Sequence, residues 1–324
     1  MKAAIINEAG KPPAYGDFRE PLAQPGEELI TVSAAALTHL TKARASGAHY
    51  SSDHVFPAIP GVEGVGTTQD GRRVYFALPA APFGGLAEKT RARSTHCVPV
   101  PDAVDDVTAA AIANPGMSSW AALAERARLK PGETVLVNGA TGIAGRLALQ
   151  ISKYLGAGKV IATGRDNEGL EELRVLGADV VIPFKPESLS AGDTKEYENA
   201  LEGQFAIGVD VVLDYLWGKS AETVIIAAAK GGREDVPVRF IQIGEASGED
   251  VRLPGAALRS SSTVLMGSGI KSVPLPALLA AVHNVFQAAS AANLKVNTKI
   301  VPLADVETAW DADSGKSRIV FVVR

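Results

Sequence analysis

Residues Glu133–Arg165 read ETVLVNGATGIAGRLALQISKYLGAGKVIATGR. Thr134-Val-Leu-Val137 is a short apolar run of the kind buried on both faces of a sheet. Gly139, Gly142 and Gly145 follow at once, and a helical pattern from Gly145 to Leu155 puts Leu147, Ile151 and Leu155 on one face. Gly156 and Gly158 stop that helix, and Lys159-Val-Ile-Ala-Thr163 forms the next strand. Strand, glycine turn, helix and strand make one βαβ unit of a parallel sheet, with a phosphate-binding turn at its first junction.

The turn is not a strict G-x-G-x-x-G. In register it is Ala140-x-Gly142-x-x-Gly145, with Gly139 just before. At the start of the helix, unpaired N–H groups and the positive end of the dipole favour a diphosphate. Ala140, Thr141, Gly142, Ile143 and Ala144 are therefore the candidate contacts, with Gly142 allowing close approach and Gly145 close helix–strand packing. A tight turn without a ligand produces similar letters; the second strand at the right distance favours a dinucleotide. An acid about 20 residues past the glycines would select NAD through its ribose hydroxyl. Here that point falls on Gly164 and Arg165, so NADP(H) is the expected cofactor, with Arg165 facing the 2′-phosphate. Asp166 and Glu168 lie close enough to keep NAD open.

The chain has 324 residues, more than one ordinary core holds, so two domains are expected. It is 46% hydrophobic and 21% charged, which suits a soluble globular protein. A net charge of −4 without a basic block argues against nucleic acid as a partner. With one cysteine, Cys97, there is no internal disulfide and no cysteine-rich zinc site. No apolar run nears the roughly 18 residues of a membrane span, and the first residues carry no cleavage signature. A cytoplasmic location and no membrane partner are the expectation.

Before the βαβ unit, Ala3–Ile6, Glu28–Ser33 and Arg73–Phe76 read as short strands between Pro-Gly and Asp-Gly turns. Asp102 to Leu129 reads as helical, broken at Asn114-Pro115-Gly116. Beyond the unit, helix and strand alternate: a helix at Glu168–Gly177, strands at Ala178–Pro183 and Val209–Asp214, a helix at Ser220–Lys230, then strands at Arg239–Gly244 and Thr263–Gly267. That alternation predicts an α/β doubly wound parallel sheet. A helix at Leu275–Ala291 and strands at Val296–Pro302 and Ile319–Val323 would return to the first domain. The expected division is 1–116 with 271–324 as a β-rich catalytic domain and 117–270 as the nucleotide domain. Ligands of such sheets bind at the carboxyl ends of the strands, so the active site is expected in the cleft between the two domains.

The full ordering resembles the medium-chain dehydrogenase/reductase superfamily, in its zinc-independent quinone oxidoreductase branch. The carriers are Phe56-Pro-Ala-Ile-Pro-Gly-Val-Glu-Gly-Val-Gly66, Phe83-Gly-Gly-Leu-Ala-Glu88, Ala140-Thr-Gly-Ile-Ala-Gly145 and Ser314-Gly-Lys-Ser317. The resemblance implies a GroES-like β-barrel beside the Rossmann domain and a homodimer paired through Thr263–Gly267. Zinc-dependent relatives carry Gly-His-Glu where this chain has Gly61-Val62-Glu63, and a cysteine ligand near Thr38. Valine holds no metal, and the spacings of His39, His49, His54 and His96 fit no metal motif, so no metal is expected.

Without zinc, the implied reaction delivers hydride from NADPH to a quinone or an α,β-unsaturated carbonyl, with side-chain donors meeting the charge on oxygen. Thr38, His39 and Tyr50 are the candidate catalytic donors. Ser118 and Gly244 are candidate neighbours of the nicotinamide end, and Lys316 of the cofactor phosphate. Thr38 and Thr41 stand where relatives often carry asparagine and aspartate. That departure leaves open a catalytically weak NADPH-binding sensor or structural protein. Tyr215-Leu-Trp-Gly-Lys219 matches the Tyr-x-x-x-Lys of short-chain dehydrogenases, but it follows a strand and contains Gly218, whereas that motif needs one helix face.

Overall fold

The computed structural model describes residues 1–48, 52, 54–165, 167–184, 191–234, 236–312 and 316–323. The chain divides into two units: Met1–Asn114 with Val282–Ser290 and Val296–Arg324, and Pro115–Ala281 with Ala291–Lys295.

The first unit is built from β1 (Lys2–Ile5), β2 (Ala14–Asp17), β3 (Glu27–Ala36), α1 (His39–Ala45), β4 (Glu63–Thr68), β5 (Arg73–Ala77), β6 (Lys89–Arg93) and β7 (Cys97–Pro99). Helix α2 (Asp106–Ala121) begins in it. The ten-residue β3 is its spine: it pairs antiparallel with β6 along Glu27–Thr31 and with β4 across a bulge between Val32 and Ala34. Alternation along these strands buries Ile30, Val32, Val74 and Phe76 in one cluster. A second cluster joins Ile6, Leu86, Phe321 and Trp310.

The second unit holds β8 (Thr134–Asn138), α3 (Ile143–Tyr154), β9 (Lys159–Gly164), α4 (Asn167–Val175), β10 (Val180–Pro183), α5 (Ala191–Ile207), β11 (Val211–Asp214), α6 (Gly218–Gly231), β12 (Val238–Gln242), α7 (Gly255–Arg259) and β13 (Thr263–Gly267). All strand pairs are parallel, in the order β10-β9-β8-β11-β12-β13. This is the doubly wound order, and the direction in which strands are added reverses between β8 and β11. Leu136, Ile161, Val212 and Phe240 lie under Tyr197, Leu201 and Phe205 of α5 and Val224 of α6. Helix α8 (Leu275–Ala291) crosses from this unit back to the first, which closes with β14 (Thr298–Pro302), α9 (Val306–Ala309) and β15 (Arg318–Val322). β15 pairs antiparallel with β3 through Val320 and Ala36.

Two features differ from the sequence reading. Helix α2 runs unbroken through Pro115, and a π-helical segment, Ala122–Ala127, continues it. Proline removes one ladder bond, and the Ser118 and Ser119 hydroxyls both donate to the Pro115 carbonyl at 2.9 Å. Helix α5 was missed, although Tyr197, Leu201 and Phe205 recur every four residues, the signature of one buried face. Among the described residues no helix is long and apolar enough to cross a membrane.

Candidate functional site

The turn after β8 is shaped by two glycines with different reasons to be there. A Cβ on Gly145 would lie 2.5 Å from the Gly139 carbonyl oxygen and 2.6 Å from the Ala140 Cα, so helix and strand pack too closely for any side chain. A Cβ on Gly142 would meet only the Gly139 oxygen, at 3.7 Å. Gly142 is exposed and is the N-cap of α3, with no side chain over the helix end. The helix therefore opens its first N–H groups, at Ile143 and Ala144, on a space the protein leaves clear. Ala140 is fully buried and its N–H bonds to the Thr163 carbonyl of β9 at 2.8 Å. Thr141 rests on Gly164, where a Cβ would lie 2.5 Å from its methyl carbon. Arg165 follows, exposed at the end of β9. Arg146, which the sequence reading passed over, binds the Thr141 carbonyl through Nε at 3.2 Å and pairs with Glu172 of α4.

Behind the turn lies a buried polar cluster. Asn138 and Asp214, the last residues of β8 and β11, face each other in register, and the Asn138 amide donates to the Asp214 carboxylate at 2.7 Å. The Asn138 side-chain oxygen accepts from Thr163 at 2.6 Å and Ser220 at 3.0 Å, with the Tyr197 hydroxyl at 3.4 Å. Asp214 also accepts the N–H groups of Leu216 and Trp217. Trp217 sits at φ 54°, a strained conformation for a tryptophan, and its bond to the carboxylate helps hold it. Strand-end polar residues were legible; their convergence depends on the pairing of β8 with β11.

Burial pushes the Asp214 carboxyl up to about 6 from 3.8, against the bonds from Asn138, Leu216 and Trp217. A raised folded-state pKa favours the protonated form on folding. Its contribution to stability is full below about 3.8 and is lost as pH rises through about 6. Between about pH 4 and 6.5, wild type is expected to lose about 2–3 kcal/mol relative to Asp214→Asn. Melting curves of both proteins across that range check this, and a constant difference refutes it.

Ser118 lies on α2 with its hydroxyl donating to the Pro115 carbonyl. Ser119, fully buried, shares a 2.9 Å hydrogen bond with the Tyr215 hydroxyl. Burial raises the Tyr215 phenol to about 12. Lys219 points instead to Glu222 at 3.0 Å and is exposed, so Tyr215 and Lys219 do not act together. Gly244 packs on the backbone of Tyr215, where a Cβ would lie 2.8 Å from its carbonyl oxygen.

In the first unit, Thr38 is the N-cap of α1: its oxygen accepts from the Thr41 N–H at 2.8 Å, and its hydroxyl is 2.9 Å from that of Thr41. Both threonines are buried. His39, the first residue of α1, keeps much of its surface open. Partial desolvation, then the Arg318 and Lys42 charges, hold its pKa below 6.5, so the neutral imidazole dominates near pH 7. Beside it lies a buried ionic group that the sequence reading did not single out. Glu63 is 1% exposed and Arg318 7% exposed, with 3.9 Å between Oε1 and Nη2. The Tyr75 hydroxyl donates to Glu63 Oε2 at 2.6 Å. Burial raises the Glu63 carboxyl, while Arg318, Tyr75 and Asn114 pull it back. Arg318 comes close because β15 pairs with β3, a long-range register that local patterns do not contain.

A cavity of about 80 Å³ opens in the same unit, with Thr41, Arg44, His54, Phe56, Val62 and Phe83 on its walls. Lys316 sits half-buried in the turn before β15. Tyr50 and His49, like Asp166 and Ser314, lie outside the described residues. No three His, Cys, Asp or Glu side chains cluster as a metal site among the described residues.

A family model described as zinc-binding dehydrogenase matches residues 144–266. A probable NADPH-dependent quinone reductase of Emericella nidulans is 28% identical, covering 99% of this chain and 100% of that protein. The rat quinone oxidoreductase is 29% identical, covering 72% of this chain and 71% of its own. Among solved structures, the quinone oxidoreductase of Thermus thermophilus, described also in complex with NADPH, superposes with a TM-score of 0.80. It is 27% identical, and all of both chains is covered. The shared order of elements across both units and these likenesses, two of them over the full length, support the medium-chain dehydrogenase/reductase superfamily, in its quinone oxidoreductase-like branch, as the family of this chain.

Proposed function

We propose that this protein is an NADPH-dependent oxidoreductase that reduces a quinone or an α,β-unsaturated carbonyl without a metal. The observation that carries the reading is the uncapped start of α3 at Gly142, where an anion meets open N–H groups and the helix dipole. The relatives' names add the cofactor and the acceptor class. NADPH, when bound, supplies the hydride. Ala140 to Ala144 hold the diphosphate, Gly164 and Arg165 the 2′-phosphate end, and Ser118 and Gly244 flank the nicotinamide end; Lys316 is a further phosphate contact. The acceptor's carbonyl oxygen is met by the Thr38–Thr41 hydroxyl pair and by His39, with Tyr50 as a further donor. The depressed pKa of His39 favours donation of a hydrogen bond over storage of a proton.

The residues that replace a zinc site do not fit the metal. Val62 offers no donor, the Thr38 oxygen caps α1, and the Arg318 cation stands 3.9 Å from Glu63. The exposed edge strand β13, with Val264 45% exposed, supports a homodimer paired through Thr263–Gly267. One observation favours a second reading, a catalytically weak NADPH-binding sensor: the Thr38 hydroxyl is already engaged with Thr41.

Loss of NADPH absorbance with a panel of quinones and enals tests the activity. Turnover supports the enzyme; NADPH binding without turnover across the panel supports the sensor. Arg165→Ala is expected to weaken NADPH about tenfold or more and NADH little, since it removes a charge-assisted pair to the 2′-phosphate. Equal losses for both nucleotides would defeat the phosphate assignment.

A further inference from the structure

We propose that Asn138 and Asp214 are a positioning pair that holds the dinucleotide turn in its binding geometry without touching the ligand. The inference rests on the dinucleotide reading above and adds the residues that act behind it. Asn138 is the residue before Gly139, and its amide has one productive orientation. The NH₂ faces the Asp214 carboxylate at 2.7 Å, which leaves the oxygen for the Thr163 and Ser220 hydroxyls. Thr163 gives its proton to Asn138, so its oxygen is free to accept the Gly139 N–H, at 3.2 Å. A chain of hydrogen bonds thus runs from Asp214 through Asn138 and Thr163 to the first N–H of the turn.

Asp214 reaches the turn a second way. Its carboxylate accepts the Leu216 N–H at 3.2 Å, and the Leu216 side chain lies against the Gly139 α-carbon, where a Cβ would meet it at 2.8 Å. The turn is therefore held from one side by polar bonds and from the other by an apolar contact, both fixed by one carboxylate. Asn138, Asp214, Thr163 and Ser220 are all fully buried. An apolar quartet would pack there without the desolvation of a carboxylate. A fully connected polar network instead admits one arrangement, and it lies where β8 and β11 diverge, at the ligand edge of the sheet.

The test exchanges the two side chains. Asn138→Asp sets two carboxylates where one amide and one carboxylate stood 2.7 Å apart. It is expected to weaken NADPH about tenfold or more, read as Kd by calorimetry well below the variant's melting temperature. Adding Asp214→Asn to it restores the bond with reversed polarity. A carboxylate at 138 still accepts from Thr163 and Ser220, and the amide oxygen at 214 still accepts from Trp217, while the Leu216 N–H loses its acceptor because it shares the position that now carries the NH₂. The double variant is expected to bind NADPH at least about threefold more tightly than the single one. A wild-type Kd in Asn138→Asp with only its melting temperature lowered overturns the proposal, because it makes the pair merely structural. So does a double variant as weak as the single one. If Asn138→Asp does not fold, Thr163→Val breaks the same chain with little change of shape, and a wild-type Kd there overturns the proposal too. Absence of NADPH binding by wild type would instead overturn the dinucleotide reading itself, and this pair's role with it.

Discussion

Gly142→Ala is expected to weaken NADPH about a hundredfold while moving the melting temperature by no more than about 2 °C. Its backbone, at φ −72° and ψ 165°, suits any residue, and the new methyl would meet only the Gly139 oxygen at 3.7 Å. Nothing in the protein objects to that methyl. The space it takes is the approach to the N–H groups of α3, where a diphosphate gains charge-assisted hydrogen bonds and the field of the helix. Gly145→Ala is the contrast. Its methyl would press within 2.6 Å of backbone atoms of Gly139 and Ala140, which cannot swing aside. Both stability and affinity should then fall, the former by about 1–3 kcal/mol. Calorimetric titration with melting curves on both variants decides the matter. Wild-type affinity in Gly142→Ala would show that the clear space in front of α3 is not where the diphosphate lies.

Glu63→Gln is expected to destabilise the first unit by about 3 kcal/mol, because it strands the buried Arg318 charge while the amide keeps the shape and an acceptor for Tyr75. The guanidinium has Nε and Nη2 buried without a hydrogen-bond partner, so the Glu63 charge at 3.9 Å is what compensates it. Removing both charges in Glu63→Leu with Arg318→Met should recover more than half of the loss, as apolar pairs of similar volume commonly replace buried ion pairs at little cost. Denaturant melts of wild type, the single variant and the double variant measure this. A single variant as stable as wild type, or a double variant worse than the single one, sinks the claim that the two charges compensate each other.

The glycine turn and the alternation around it were legible because they are local. A strand buried on both faces, a tight turn and an amphipathic helix each leave a mark within about a dozen residues. Pro115 shows the limit of such marks: proline disfavours a helix locally, yet α2 continues through it. Helix α5 shows the converse, since the spacing of Tyr197, Leu201 and Phe205 was present and went unread. At the site, spacing named Gly142 and Gly145 together with their separate reasons, and the surroundings of the two α-carbons differ accordingly, clear space at Gly142 and backbone contact at Gly145. Thr38 is a candidate donor by its place in the sequence, and only the structure shows that its oxygen also caps α1.

By itself the amino-acid order determined the class of fold, the order of its elements and the residues of the phosphate turn, since each follows from side-chain periodicity and backbone freedom over short distances. Tertiary structure alone decided which distant groups meet. Asn138 finds Asp214 because β8 lies beside β11, and Glu63 finds Arg318 because β15 pairs with β3. Strand order and register are set by the burial of whole sheet faces, so contacts made across them have no local signature to read.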